Sequence, residues 1–184
     1  LSAVVCFGAV LGPAKTVVDP VGFPGTEEVS PLATRFLKQV LNPSLVRLSL
    51  EAERADDVIP ELIGILSGAG LLKDPVEAER VVRVREASMS TALEHGIAIP
   101  HGKTDTVDSL LVAVGLKPTG LDFRSLDGEP TTIFLLTLSP ASRTGPHIRF
   151  MAEVTRLLQS ESARQGILSA TTPEQVVALL TGTD

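Results

Sequence analysis

The sequence predicts an α/β domain built on a mixed β-sheet of about five strands, flanked by helices on both faces. Three observations predict it. Strand-like and helix-like stretches follow one another along the 184 residues in the order strand, two helices, several strands, then helices. Residues 131–138 (TTIFLLTL) are β-rich and apolar at odd and even positions alike, the pattern of a central strand covered on both faces. The helical stretches open on recognisable start signals, among them Asp74-Pro75 and Thr172-Pro173.

Residues 1–11 (LSAVVCFGAVL) are almost wholly apolar but too short to span a bilayer, and they lack the initiating Met and basic flank of a signal peptide. They read as the trailing end of a transmembrane helix or as a buried strand. Pro13, Pro20, Pro24 and Pro31, with Gly22 and Gly25, then make a linker. A short amphipathic helix over 32–41 stops at Asn42-Pro43. The division that follows is an apolar segment and linker over 1–43 and a folded domain over 44–184.

Within the domain, residues 46–50 (VRLSL) alternate with period two and read as a strand with one buried face. Asp56 and Asp57 open a helix on which Val58, Leu62, Ile65 and Leu66 share a face, with Pro60 early enough to be tolerated and Gly68 and Gly70 at its end. Asp74 caps a second helix with Pro75 at its first position. Residues 87–94 read as a loop or turn, and the apolar run from Gly96 ends as a strand at His101. Further strands are expected over 110–116 and, briefly, 121–123, with Asp127-Gly128 turning the chain into the central strand at 131–138. A long helix opens at Pro146 and runs to about residue 159. A short one follows Ser160, and the last is opened by a Thr172-to-Gln175 capping box, with Val176, Val177, Leu179 and Leu180 facing inward.

Composition removes several functions. The formal net charge is −6, Tyr and Trp are absent, and there is no long basic run, which argues against a nucleic-acid partner. The single Cys6 cannot form an intrachain disulfide and fits a reducing compartment. No G-x-S-x-G, phosphate-binding P-loop or G-x-G-x-x-G pattern occurs.

The stretch that carries chemistry is Gly96-Ile97-Ala98-Ile99-Pro100-His101-Gly102. Proline stiffens the backbone and biases the residue before it toward extended conformations, and Gly102 leaves room beside the ring. His101 is thus aimed from the lip of a strand, where α/β folds place their sites. On the second helix Ala78, Val81 and Val82 form an inward stripe, and its next position is Arg85, a permanent cation that must find a partner or line a pocket. Glu86 is one candidate partner. His147 falls in the first turn of the long helix, where free N–H groups favour an anion and disfavour imidazolium. His95, His101 and His147 together invite a metal hypothesis, but the spacing matches no H-x-x-x-H or H-E-x-x-H signature. A nucleophilic histidine with an arginine and a second histidine instead points to transfer of a phosphoryl group onto nitrogen, which needs in-line approach and donors for the equatorial oxygens.

The ordered series Arg85-Glu86, Ser90-Thr91, Gly96-Ile97-Ala98-Ile99-Pro100-His101-Gly102, Leu121-Asp122-Phe123, Leu126-Asp127-Gly128-Glu129-Pro130, Ile133-Phe134-Leu135-Leu136 and Pro146-His147 resembles the fructose/mannitol-type EIIA domain of the bacterial phosphoenolpyruvate-dependent sugar phosphotransferase system. The resemblance implies a histidine phosphocarrier in which His101 accepts a phosphoryl group from the phosphocarrier HPr and passes it to an EIIB domain. It further implies that His147 and Arg85 orient the ring and neutralise the phosphate, with no metal or organic cofactor. The chain would then be cytoplasmic, either free or as the cytosolic part of a membrane permease tethered through its N-terminal segment. The rival expectation is a regulatory, nitrogen-type EIIA or a transporter-fused sensor whose phosphorylation controls protein binding. The segment 91–95 is bulkier than the family's glycine-rich approach to the motif and carries the extra His95.

Overall fold

The computed structural model describes residues 31–182; the apolar run over 1–11 and the linker that follows it lie outside the described residues. The elements are α1 (Pro31–Val40), a short 3-10 turn (Pro43–Leu45), β1 (Val46–Arg47), α2 (Ala55–Gly68), α3 (Pro75–Ser88), β2 (Ile97–Ala98), β3 (His101–Lys103), β4 (Leu111–Leu121), β5 (Thr131–Ser139), α4 (Gly145–Leu158), α5 (Glu161–Ser169) and α6 (Pro173–Thr181). The sheet is mixed and five-stranded, as the sequence predicts. β4 and β5 form its antiparallel centre, β1 runs parallel to β4 on one side, and β2 and β3 run parallel to β5 on the other.

β5 explains both layers. Successive side chains on a strand point to opposite faces. Phe134, Leu136 and Leu138 pack with Val58, Leu62, Leu66, Ala78 and Val82 of α2 and α3. Ile133 and Leu135 pack with Phe150, Val154, Ile167, Val176 and Leu180 of α4, α5 and α6. All five β5 residues are wholly buried, so each contributes about 1.5–3 kcal/mol of apolar burial. Leu37 of α1 and Leu41 just after it join the second layer, although the sequence assigns both to the segment before the domain.

Four elements differ from expectation, one of them the stretch from Gly96, read as a single strand ending at His101 but split into β2 and β3, the latter running on to Lys103. The stretches read as strands over 110–116 and 121–123 are one strand, β4, which is irregular between Leu116 and Leu121 and resumes its ladder at Leu121 opposite Thr131. Lys117 makes this tolerable by folding inward: its Nζ donates to the Leu50 carbonyl and to Glu53. The strand beginning at Val46 is only two residues long, but the Leu50 N–H still bonds the Leu116 carbonyl at 2.7 Å. Helix α3 extends through Ser88, into residues read as loop.

The helix termini follow their sequence signals. Asp74 accepts from the Glu77 N–H, and Thr172 and Gln175 form the expected capping box. Val176 and Leu180 of α6 are buried, whereas Leu179 is exposed. Pro60 lies inside α2 and has no N–H to offer the Asp56 carbonyl one turn back; Arg83 Nη2 of α3 donates to that carbonyl instead, at 3.0 Å. Among the described residues no helix is long and apolar enough to cross a membrane.

Candidate active site

The site forms where α3, β3 and the start of α4 meet. Gly102 sets the first approach: a Cβ there would lie 2.8 Å from Val81 Cγ2 and 3.1 Å from the Val82 backbone nitrogen, so only glycine lets α3 pack this closely on β3. Ala78 and Val82 bury the helix face, and Arg85 continues it to the edge of the sheet. There Arg85 Nε donates to His101 Nε2 at 3.1 Å, and its Nη1 donates to the Met89 carbonyl at 2.8 Å.

The other side of the imidazole fixes its tautomer. His101 Nδ1 lies 2.9 Å from the Ile99 carbonyl. A carbonyl only accepts and a guanidinium only donates, so the two contacts agree: Nδ1 carries the proton and Nε2 holds a free lone pair. Pro100, between Ile99 and His101, interrupts the edge and separates β2 from β3, while its own carbonyl accepts from the Thr137 N–H at 2.9 Å.

His147, in the first turn of α4, is 8% exposed. Its ring centroid is 5.2 Å from that of His101, at an interplanar angle of 44°. Its Nδ1 is 3.4 Å from Oγ1 of Thr137, which is the cross-strand partner of His101. Burial is the main cause holding both imidazoles below their ordinary pKa. For His101 the carbonyl of Ile99 opposes the shift, Arg85 and Lys103 add to it, and Glu86 pulls the other way. For His147 the charges of His101 and Lys103 add to it. The direction for His147 agrees with the reading from its helix start, with desolvation as the leading cause.

The two histidines and Arg85 therefore share one cleft of about 470 Å³, lined also by Arg80, Val81, Val84 and Lys103. It presents an unprotonated ring nitrogen beside fixed positive charge, the arrangement suited to a nucleophile meeting an anionic group. Glu86 is not the partner of Arg85. Its carboxylate accepts from the Thr91 N–H at 3.0 and 3.1 Å and from the Thr91 hydroxyl. His95 lies elsewhere, lining clefts with Leu126 and Thr155 and with Glu129 and Arg164, while its backbone N–H donates to Asp127 Oδ2 at 2.7 Å. Among the described residues no three His, Cys, Asp or Glu side chains group as metal ligands, so the three-histidine metal site is not assembled. Asp108 pairs with Lys73 at the surface, and Asp105 accepts from the Ala141 N–H.

Sequence reasoning missed Thr137, although its signal was present: it is the polar exception near the end of a strand apolar on both faces, and it is wholly buried. It also missed the supporting carbonyls of Met89 and Ile99, which carry no side-chain signature.

The model of the family described as "Phosphoenolpyruvate-dependent sugar phosphotransferase system, EIIA 2" matches residues 39–182. The chain belongs to this EIIA family. A fructose-specific EIIA component of Haloferax volcanii is 30% identical over 135 residues, which span 72% of this chain and 88% of the relative. A fructose-specific EIIABC component of Bacillus subtilis is 28% identical over 144 residues; the match takes in 78% of this chain but only 23% of that longer protein. Among solved structures, the nitrogen regulatory protein IIA-Ntr of Neisseria meningitidis superposes with a TM-score of 0.73 at 24% identity, over 77% of this chain and 97% of its own, a likeness of fold. In this EIIA chain the cleft of His101, Arg85 and His147 lies wholly within the matched region.

Proposed function

We propose that this EIIA domain is a phosphohistidine carrier: His101 accepts a phosphoryl group from HPr and passes it to an EIIB domain. One observation carries the reading. His101 Nε2 is unprotonated, donated to by Arg85 Nε and open to a cleft of positive character.

In the forward step the Nε2 lone pair attacks the phosphorus of the donor's phosphohistidine, a new N–P bond forms, and the donor's N–P bond breaks with its electron pair returning to the donor imidazole. No proton need move on this chain, because Nδ1–H stays bonded to the Ile99 carbonyl as the ring gains positive character. Arg85 must release Nε2 as phosphorus arrives, and its guanidinium then neutralises phosphoryl oxygens. His147, held neutral by burial, offers a ring N–H to the same oxygens. The reverse sequence delivers the group to EIIB.

Incubation with phosphoenolpyruvate, Enzyme I and HPr is expected to place an acid-labile phosphate on His101, to be discharged when EIIB is added. Labelling that survives His101→Ala rejects the site, and labelling that no EIIB discharges moves the chain to the regulatory reading. We further propose that the segment before α1 joins the domain to a membrane permease at its cytoplasmic face. Recovery of the native protein wholly in the soluble fraction of lysed cells, with none in washed membranes, rejects that arrangement.

A further inference from the structure

We infer that Glu86 is a positioning residue for the phosphoryl acceptor, holding both anchors of the His101 ring through Thr91. The inference deepens the carrier reading and rests on it for its consequence on rate, though its geometric part stands alone.

Arg85 reaches His101 in a fixed direction because its Nη1 is tied to the Met89 carbonyl at 2.8 Å. Met89 is the residue at which α3 ends and the chain turns extended, with φ −168° and ψ 131°. Met89 is 70% exposed, so packing of its side chain does not locate this carbonyl. Two residues on, Thr91 is 6% exposed and fully engaged. Its N–H and hydroxyl both donate to the Glu86 carboxylate, one turn of α3 back. Its carbonyl accepts from the Ile99 N–H at 3.1 Å. Ile99 in turn supplies the carbonyl that binds His101 Nδ1.

One carboxylate therefore pins a turn whose two ends lead to opposite sides of the same imidazole. Through Met89 it aims the guanidinium at Nε2, and through Ile99 it sets the acceptor that keeps the proton on Nδ1. Ser90 Oγ, bonded to the Phe123 carbonyl at 3.1 Å, closes the turn from outside. A charge-assisted acceptor is the stronger choice for such a clamp, since a bond to an ionised partner is about twice as strong as a neutral one. Release of the clamp lets Arg85 and Ile99 drift, and a displacement of about 1 Å at a reacting group is enough to cost up to about 100-fold in rate.

The test uses the full chain with Glu86→Ala, Thr91→Val, Arg85→Ala and the combination of Glu86→Ala with Arg85→Ala. Glu61→Ala serves as a control, because Glu61 is likewise a carboxylate that clamps a neighbouring segment, accepting from the backbone N–H groups of Glu51 and Ala52, but lies outside the cleft. For transfer from phospho-HPr, Glu86→Ala is expected to lower kcat about tenfold with KM changed less than about twofold. That loss should shrink once Arg85 is already alanine, because the branch through Met89 is then gone and only the branch through Ile99 remains. Nitrogen-15 spectra should show His101 passing from a single Nδ1–H tautomer to a mixture in Glu86→Ala and Thr91→Val, and unchanged in Glu61→Ala.

Multiplying effects of Glu86→Ala and Arg85→Ala, or an unchanged kcat with an unchanged His101 spectrum, would overturn the inference. If Glu86→Ala does not fold, Thr91→Val decides by the same readouts. If the unaltered chain takes no phosphate on His101, the carrier reading fails, and the tautomer spectra still decide the role of Glu86.

Discussion

At the scale of single residues, the site depends on an imidazole that stays neutral beside a cation. His101 and His147 are both held below their ordinary pKa, mainly by burial, and Arg85 donates to the one ring nitrogen left free. Protonation of Nε2 would remove the lone pair and set two donors against each other. The rate of labelling by phospho-HPr is therefore expected to be flat near neutrality and to fall as pH drops through the lowered pKa of His101, below about 6.5. Proton titration of the His101 ring resonance measures that midpoint; a midpoint above the value in the urea-unfolded chain contradicts the burial argument. Arg85→Lys tests the fork. A single ammonium cannot reproduce the planar pair of donors directed at Met89 and His101, so about 100-fold loss in labelling rate is expected despite the retained charge. Transfer kinetics within about threefold of the unaltered chain would mean that charge alone matters. The sequence displayed this part of the site well. His101 stood between proline and glycine, and Arg85 interrupted an apolar helical stripe, so local pattern located both. Glu86, offered only as one candidate partner for Arg85, diverges from it on the helix as adjacent residues do, and reaches forward to Thr91, a contact no local pattern announced.

At the scale of elements, the site exists only while α3 rests on β3. Gly102 is the point of closest approach, and alanine there would press its Cβ against Val81, Val82 and the α3 backbone. Gly102→Ala is expected to destabilise the fold by about 1–3 kcal/mol. It should also slow transfer more than stability explains, because the helix carrying Arg85 is displaced. Urea unfolding followed by circular dichroism, alongside labelling of the folded fraction, separates the two effects. The strand boundaries show what sequence pattern could not reach. Residues 96–101 read as one strand, but Pro100 removes a ladder donor, so β2 and β3 pair separately with β5. The reverse happened in β4, where 110–116 and 121–123 read as two strands but Leu111–Leu121 form one. The ladder resumes because Lys117 finds partners in Leu50 and Glu53, contacts made between elements far apart in the chain. Helices were read more closely than strands, since their caps are written locally while a strand's length depends on its neighbours.

At the scale of the whole molecule, the central strand joins two helical layers, and the cleft sits where both reach the same sheet edge. Leu135→Ala, at a position wholly buried toward α4, is expected to cost about 2–5 kcal/mol, measured as a lowered urea midpoint. The partly buried His101 and the buried His147 link this stability to pH. Each has a folded pKa below its unfolded value, so between those values the unfolded chain binds more protons than the folded one. Their contribution is complete above about pH 6.5 and is lost as pH falls through the folded pKa values. Glu77 and Asp127 are also shifted down, Glu77 by Arg80 and Asp127 by the backbone N–H groups of His95 and Glu129. Their losses begin only below about pH 4.5, in a separate window. The urea midpoint should therefore be lower at pH 5.5 than at pH 7.5. Replacing both His101 and His147 by Gln should shrink that difference, whatever the substitutions do to the midpoint at pH 7.5. Because the chain contains neither Trp nor Tyr, circular dichroism is the suitable signal. An acid-side drop of equal size in the double variant would place the titrating groups outside the cleft, and would contradict the burial that holds both imidazoles neutral near pH 7.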